Sequence, residues 1–211
     1  MTICYIVIII ILACSLTISV YQRKILKKKV EKELNEAYAR MEQLATYDPL
    51  THLYTRKSMR ERIEIEMLRM GRSWNPFCII LLDIDDFNSI NEKHGPESGD
   101  KILLSLSLLL KENLRLQDAA SRWGGEEFLL LLPGTPIDGG VILAEKIRKK
   151  IEKTKITYGE EEISFTITLG VNVFEKLGPT NDCILGAFHA LNHGKKSGKN
   201  TTIRADEIPV S

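Results

Sequence analysis

The chain has 211 residues, with 29 Lys and Arg against 28 Asp and Glu and a formal net charge of +1. That balance argues against a nucleic-acid surface, because the basic residues gather in one short stretch near the amino end. Cys4, Cys14, Cys78 and Cys183 show neither metal-ligand spacing nor the pattern of a disulfide framework. The histidines are scattered; His189 and His193, at i and i+4, mimic a metal pair but have no acidic motif beside them.

From Ile3 to Val20 there is no charged residue, and isoleucine and leucine dominate. The stretch is about as long as a bilayer crossing requires. Arg23, Lys24, Lys27, Lys28 and Lys29 follow at once, and no charged side chain precedes it. The positive-inside rule then places the carboxyl side in the cytoplasm. The expectation is a single-pass anchor over residues 1–21 in the cytoplasmic (inner) membrane. A cleaved signal peptide is the rival, but the positive n-region is missing. Across 22–46, Val30, Leu34, Ala37, Met41 and Leu44 alternate spacings of four and three, a short heptad seam. It reads as a coiled-coil signalling helix that dimerises the chain; the alternative is a surface helix packed on its own domain.

The remainder, 47–205 with a tail over 206–211, reads as one α/β domain of ordinary size. In Phe77 to Phe87, FCIILLDIDDF, an apolar run ends in Asp83, Asp85 and Asp86. This is a buried strand with acids at its carboxyl end, where open α/β sheets place ligands. Alternation puts Asp83 and Asp85 on one face. Asp100 to Leu114 carries Ile102, Leu103, Leu106, Leu109 and Leu110 at helical spacing. Next comes Arg122-Trp123-Gly124-Gly125-Glu126-Glu127-Phe128, then Leu129 to Leu132. The glycines allow backbone to approach a ligand, and the two carboxylates sit at the mouth of a second buried strand. Pairing the two acid-tipped strands as a hairpin would let Asp83 and Glu127 share a hard divalent cation. Carboxylates buried at strand ends are costly without a cation or partner. Pro136-Ile137-Asp138-Gly139 opens another helix, and Gly159-Glu160 suits a turn before an alternating strand, Ile163, Phe165, Ile167, Leu169. A final helix is expected near Asp182 to His193.

Taken in order, these motifs resemble the GGDEF domain, the diguanylate cyclase family, in its GGEEF variant, over roughly Tyr47 to Thr202. Asp48-Pro49-Leu50-Thr51, with Arg56 later, is similar to the opening D-x-L-T segment. LLDIDDF resembles the first metal strand. Asn91 and Gly99-Asp100 follow at the family's spacing, and Arg115-x-x-Asp118 precedes the signature as in members with an inhibitory product site. FTITLGV, Phe165 to Val171, resembles the later strand, and Lys195-Lys196-Ser197-Gly198-Lys199-Asn200 resembles the closing A-K-x-x-G-R-N.

The resemblance implies a central, mainly antiparallel sheet flanked by helices, as in nucleotidyl cyclase and palm-like folds. It implies condensation of two GTP into cyclic di-GMP with release of two pyrophosphates, by a dimer whose halves each bind one GTP. Asp83, the backbone carbonyl of Ile84 and Glu127 would hold Mg2+ or Mn2+, two ions per active site. Glu126 would be the base or its positioning group, and it too can touch a metal. Lys195 and Lys199 would meet phosphates. Asn91 and Asp100 would read guanine, a carboxylate accepting from its N1–H and N2 amine. Phe87 is carried with them as a substrate contact, and Arg115 with Asp118 as the inhibitory product site. Each has a plainer reading. Asn91 could cap a turn, and Asp100 could N-cap a helix beginning near Lys101. Lys195 and Lys199 could be solvated charges in a basic tail, Arg115 and Asp118 a helix-end ion pair, and Phe87 and Trp123 packing residues.

The chain departs from the family at Phe188 and Asn192, where A-D-x-A-L-Y is usual, and at Lys199, which lacks the bidentate fork of arginine. Asn88, Pro96 and His52 also replace the usual residues. None removes a metal carboxylate. Three functions are therefore expected in competition: a membrane-bound cyclase, a non-catalytic receptor for cyclic di-GMP, and a dimerising adaptor, with input through the span, lipid or an unidentified sensor partner.

Overall fold

The computed structural model describes residues 22–32, 34, 41, 46–175 and 180–208. The chain divides into two compact units, Met1–Leu44 and Ala45–Ser211. In the first, residues 22–32 are helical, and Ile25, Leu26, Val30, Leu34 and Met41 are exposed. The other expected seam positions, Ala37 and Leu44, lie outside the described residues. Among the described residues no helix is long and apolar enough to cross a membrane, and the span expected over 1–21 lies outside them.

The second unit runs β1 (Tyr54–Thr55), α1 (Arg56–Ser73), β2 (Phe77–Ile84), α2 (Phe87–His94), α3 (Pro96–Asn113), β3 (Ala119–Gly124) and β4 (Glu127–Pro133). It continues with α4 (Ile137–Glu152), β5 (Lys155–Tyr158), β6 (Glu161–Ser164), β7 (Ile167–Phe174), α5 (Thr180–Lys196), β8 (Thr202–Arg204) and a closing 3-10 turn, Ala205–Glu207. Six strands form one sheet in the order β1-β3-β4-β2-β7-β8, and β5 pairs with β6 apart from it. The inner four strands are antiparallel, but both edge pairings, β1 with β3 and β7 with β8, are parallel. The sheet is thus mixed rather than simply antiparallel.

Helices on both faces explain why β2 and β4 read as continuous apolar runs and not as alternating ones. Cys78, Ile80 and Leu82 join Ile102, Leu106 and Ile147 in one buried cluster. Ile79 and Leu81 join Met59, Ile63, Ile184 and Ala187 in the other. Leu129, Leu130, Leu131 and Leu132 are all buried, so truncating any one to alanine should cost about 2–5 kcal/mol. Gly170 of β7 lets α5 lie directly on the sheet: a methyl there would stand 2.1 Å from the Ala187 carbonyl oxygen.

Four expectations need correction. The hairpin partner of β4 is β3; β2 lies beside β4 only after two helices and β3 intervene. Helix α3 begins at Pro96, not near Lys101, because Gly95 turns the chain at φ 84 and proline presets the first helical φ. Asp100 is therefore inside the helix and does not cap it. The alternating stretch around Phe165 is two strands, broken where the Thr166 carbonyl accepts from the Asp85 N–H at 2.9 Å. Finally, α5 extends to Lys196, so Lys195 belongs to a helix end and not to a solvated tail.

Candidate active site

The acids converge through sheet register. Asp83, next to last in β2, stands directly opposite Glu127, the first residue of β4. Glu126 occupies the turn before it, which Gly125 makes possible at φ 45. Burial pushes the Glu127 carboxyl above its ordinary value; Asp83 and Glu126 push it further, while Arg56 and Lys195 oppose. Burial likewise raises Asp83, Glu126 and Asp85 add to the effect, and Lys195 counters it. Two carboxylates pushed up by burial and by neighbouring acids mark a site short of positive charge.

Lys195 supplies part of that charge. Its ammonium nitrogen is 2.6 Å from Asp83 Oδ1, 2.9 Å from Asp85 Oδ1 and 3.3 Å from the Ile84 carbonyl oxygen. Burial lowers the lysine's pKa, but the hydrogen bonds to Asp83 and Asp85 outweigh it and leave the pKa raised. A carboxylate and a main-chain carbonyl therefore already aim at one cationic centre, with Glu127 on the neighbouring strand. These hard oxygen donors fit Mg2+ or Mn2+. Among the described residues no three His, Cys, Asp or Glu side chains are grouped to hold a metal by themselves.

Asp85 is the residue whose role sequence reasoning missed. It is 4% exposed and accepts from Thr166 Oγ1 and Thr168 Oγ1, both at 2.7 Å, from the Asn200 N–H at 3.0 Å and from Lys195. Burial would raise its pKa, but these bonds outweigh burial and hold the carboxyl below the usual range. The alternation that placed Asp85 beside Asp83 was the available signal. Lys199 stands apart: it is partly exposed and pairs with Asp86 at 2.5 Å.

The residues expected to read guanine are also brought together. A Cβ on Gly99 would lie 2.0 Å from Asn91 Oδ1 and 2.9 Å from Phe87 Cζ, so α2 and α3 meet at this glycine, next to Asp100. Asn91 Oδ1 is buried without a hydrogen-bond partner, an orphan acceptor awaiting a donor, whereas Asp100 is exposed. Phe87 is 8% exposed and belongs to the core cluster, which favours its packing reading. Trp123 is also buried, under the guanidinium groups of Arg56 and Arg60 at 4.8 and 5.3 Å.

Arg115 and Asp118 do not form an ion pair among the described residues. Asp118 Oδ2 accepts from the Arg115 N–H at 2.9 Å, and the Asp118 N–H donates to the Arg115 carbonyl at 3.1 Å. This closed turn leaves the Arg115 side chain exposed and Asp118 Oδ1 buried and unpartnered. Both line a cavity of about 450 Å³ with Tyr47, His52, Tyr54 and Lys111. The signature turn has its own brace. Arg122 Nε donates to the Gly125 carbonyl at 2.8 Å, and its Nη1 lies 3.4 Å from Asp48, which the Thr51 N–H and hydroxyl also hold.

Comparison with known proteins accords with this arrangement. The family described as diguanylate cyclase, GGDEF domain, matches residues 45–201. Diguanylate cyclase DgcP of Pseudomonas aeruginosa is 35% identical over 158 residues, which cover 75% of this chain and 24% of that protein. The chain thus spans about a quarter of that relative's length. The fold resembles a crystal structure of the coiled coil and GGDEF domain of DgcB from Caulobacter crescentus in complex with c-di-GMP (TM-score 0.82, 21% identity, 88% of this chain and 99% of that one). It also resembles the active GGEEF domain of a diguanylate cyclase from Vibrio cholerae, with a TM-score of 0.69, 26% identity and coverage of 72% and 97%. With a family match over most of its length and Asp83 opposite the signature's Glu127 on adjacent strands, the chain belongs to the GGDEF-domain family of diguanylate cyclases.

Proposed function

We propose that the chain is a membrane-anchored diguanylate cyclase that condenses two GTP into cyclic di-GMP and works as a dimer. The observation that carries this reading is the convergence of Asp83, the Ile84 carbonyl and Lys195, opposite Glu127. In each half-reaction a ribose 3′-oxygen attacks the α-phosphorus of the facing GTP. A phosphate ester forms, the α–β phosphoanhydride breaks, and pyrophosphate leaves. Glu126, beside the acids but outside their strand, accepts the hydroxyl proton or positions the group that does. Asn91 and Asp100 orient the base, and Lys195 and Lys199 meet the phosphates as cations. Asp83, Ile84 and Glu127 would hold Mg2+ or Mn2+, two ions per site. Such ions supply charge neutralisation on the triphosphate and activation of the hydroxyl.

One domain presents a single set of these groups, so the two-GTP reaction calls for a second copy facing it. The exposed seam residues Val30, Leu34 and Met41 support dimerisation through residues 22–46. The uncharged stretch before Arg23 and the basic cluster after it support a cytoplasmic-membrane location with the catalytic domain in the cytoplasm. Protein lacking residues 1–21, given GTP and Mg2+, should yield cyclic di-GMP and pyrophosphate, and Glu126→Gln should cut both by about a hundredfold or more. No product from the parent protein would overturn the reading.

A receptor reading, or feedback inhibition of the enzyme, draws support from the buried, unpartnered Asp118 Oδ1 beside the exposed Arg115. Guanine and phosphate edges suit that pair. Added cyclic di-GMP should slow the initial rate, and Arg115→Ala should remove the inhibition. An unchanged rate at high micromolar product would end this idea.

A further inference from the structure

The lysine that faces the acids is connected to a helix on another side of the domain. Arg148 of α4 has a side chain only 12% exposed. Its Nε and Nη2 bind the two oxygens of Glu145 at 2.9 and 3.1 Å, and its Nη1 donates to Asn200 Oδ1 at 2.8 Å. The amide of Asn200 is gripped from the other end as well, Nδ2 donating to Glu152 Oε1 at 2.7 Å. Only one orientation of the amide satisfies both contacts. The Asn200 backbone is left-handed, at φ 45, a conformation asparagine tolerates. In that conformation its N–H meets Asp85 Oδ2 at 3.0 Å, while Asp85 Oδ1 meets the Lys195 ammonium at 2.9 Å.

We propose that Arg148 is a positioning residue for Lys195, acting through Asn200 and Asp85. The guanidinium fork is preorganised by Glu145, so little freedom is lost in holding Asn200. Asn200 in turn fixes one edge of a buried carboxylate, whose remaining edge aims the lysine. Without Arg148 the Asn200 side chain keeps only its Glu152 anchor, the left-handed turn that presents the Asn200 backbone N–H to Asp85 loosens, and the ammonium no longer has one preferred position. Lys195 itself touches the phosphates in the function proposed above, on which this inference rests. Arg148 touches no reacting atom.

A double-mutant cycle on the full chain in detergent micelles tests this. Initial rates and GTP binding are measured for the parent, Lys195→Met, Arg148→Met and the double variant. Arg148→Met should lower kcat/KM by about 10- to 100-fold, the scale of a small misplacement of a binding group. The double variant should be no worse than Lys195→Met alone, since the two losses share one path. Guanosine binding should be unchanged in Arg148→Met while GTP binding weakens. Losses that multiply, or equal weakening of guanosine and GTP, would overturn the positioning role. If Arg148→Met fails to fold, Asn200→Gly keeps the left-handed turn and the Arg148–Glu145 pair, and it must show the same non-additivity. A parent that neither turns over nor binds GTP would strike the proposed function itself; an active parent with additive losses would strike only the role of Arg148.

Discussion

The acid end and the cation end of the candidate site are built in different ways. Asp83 and Glu127 meet because β2 and β4 are neighbours and their register is locked by seven consecutive residue pairs. A one-residue slip would turn both apolar strands inside out, so core burial guards the acids. Lys195 reaches the same place from the last turn of α5, where it meets Asp85, a carboxylate that Thr166, Thr168 and Asn200 fix in turn. Chemistry that needs a fixed separation of like charges is anchored in the sheet. The counter-charge is anchored in a network that can be loosened without unfolding the core.

That contrast can be broken most sharply at the turn. Glu126→Gln should cut product formation by about a hundredfold or more, the usual worth of a general base. Its thermal midpoint should not fall, since one of the carboxylates crowding Asp83 and Glu127 is neutralised. A fall in stability together with activity would show that the acids help hold the fold. Gly170→Ala comes next. The added methyl would meet the backbone of α5, costing about 1–3 kcal/mol in denaturant unfolding and weakening GTP binding through a displaced Lys195. An unchanged midpoint and unchanged binding would mean that α5 does not set the cation end.

A smaller effect sharpens the comparison through pH. Burial would raise the Asp48 carboxyl, but the Thr51 and Arg122 contacts outweigh it and hold its pKa below the usual 3.8. A depressed folded pKa contributes stability above the unfolded value, and that stability is lost as pH falls through the folded value. The difference in thermal midpoint between the parent and Asp48→Asn should therefore be full near neutrality. It should close as pH falls below 3.8. A constant gap would separate Asp48 from the brace on the signature turn. Least visible are the thiols. Burial pushes Cys78 up to about 12 and raises Cys183 as well, so protein lacking residues 1–21 should be inert to thiol reagents at mild alkaline pH until unfolded. Reaction in the folded protein would mean that the sheet faces open.

Much of the acid end was legible because its signals are local. An apolar run ending in Asp83, a Gly-Gly turn and an apolar run beginning after Glu127 name two buried strands and their charged tips. Their adjacency could be guessed, though not the crossing that makes β3 the hairpin partner of β4. The cation end was less legible. A Gly/Ser-rich basic stretch after Asn192 resembles a solvated tail, and nothing local reveals that α5 continues to Lys196 or that Asp85 waits beneath it.

The order of the motifs and the charges at the strand ends were settled by sequence alone, because they depend on residue type and on periods of two and 3.6. The Asp83–Glu127 register, the burial of Asp85 and the reach of Arg148 to Asn200 were decided only by the tertiary structure. They join residues 44, 115 and 52 positions apart, and such contacts form only when the core between them packs.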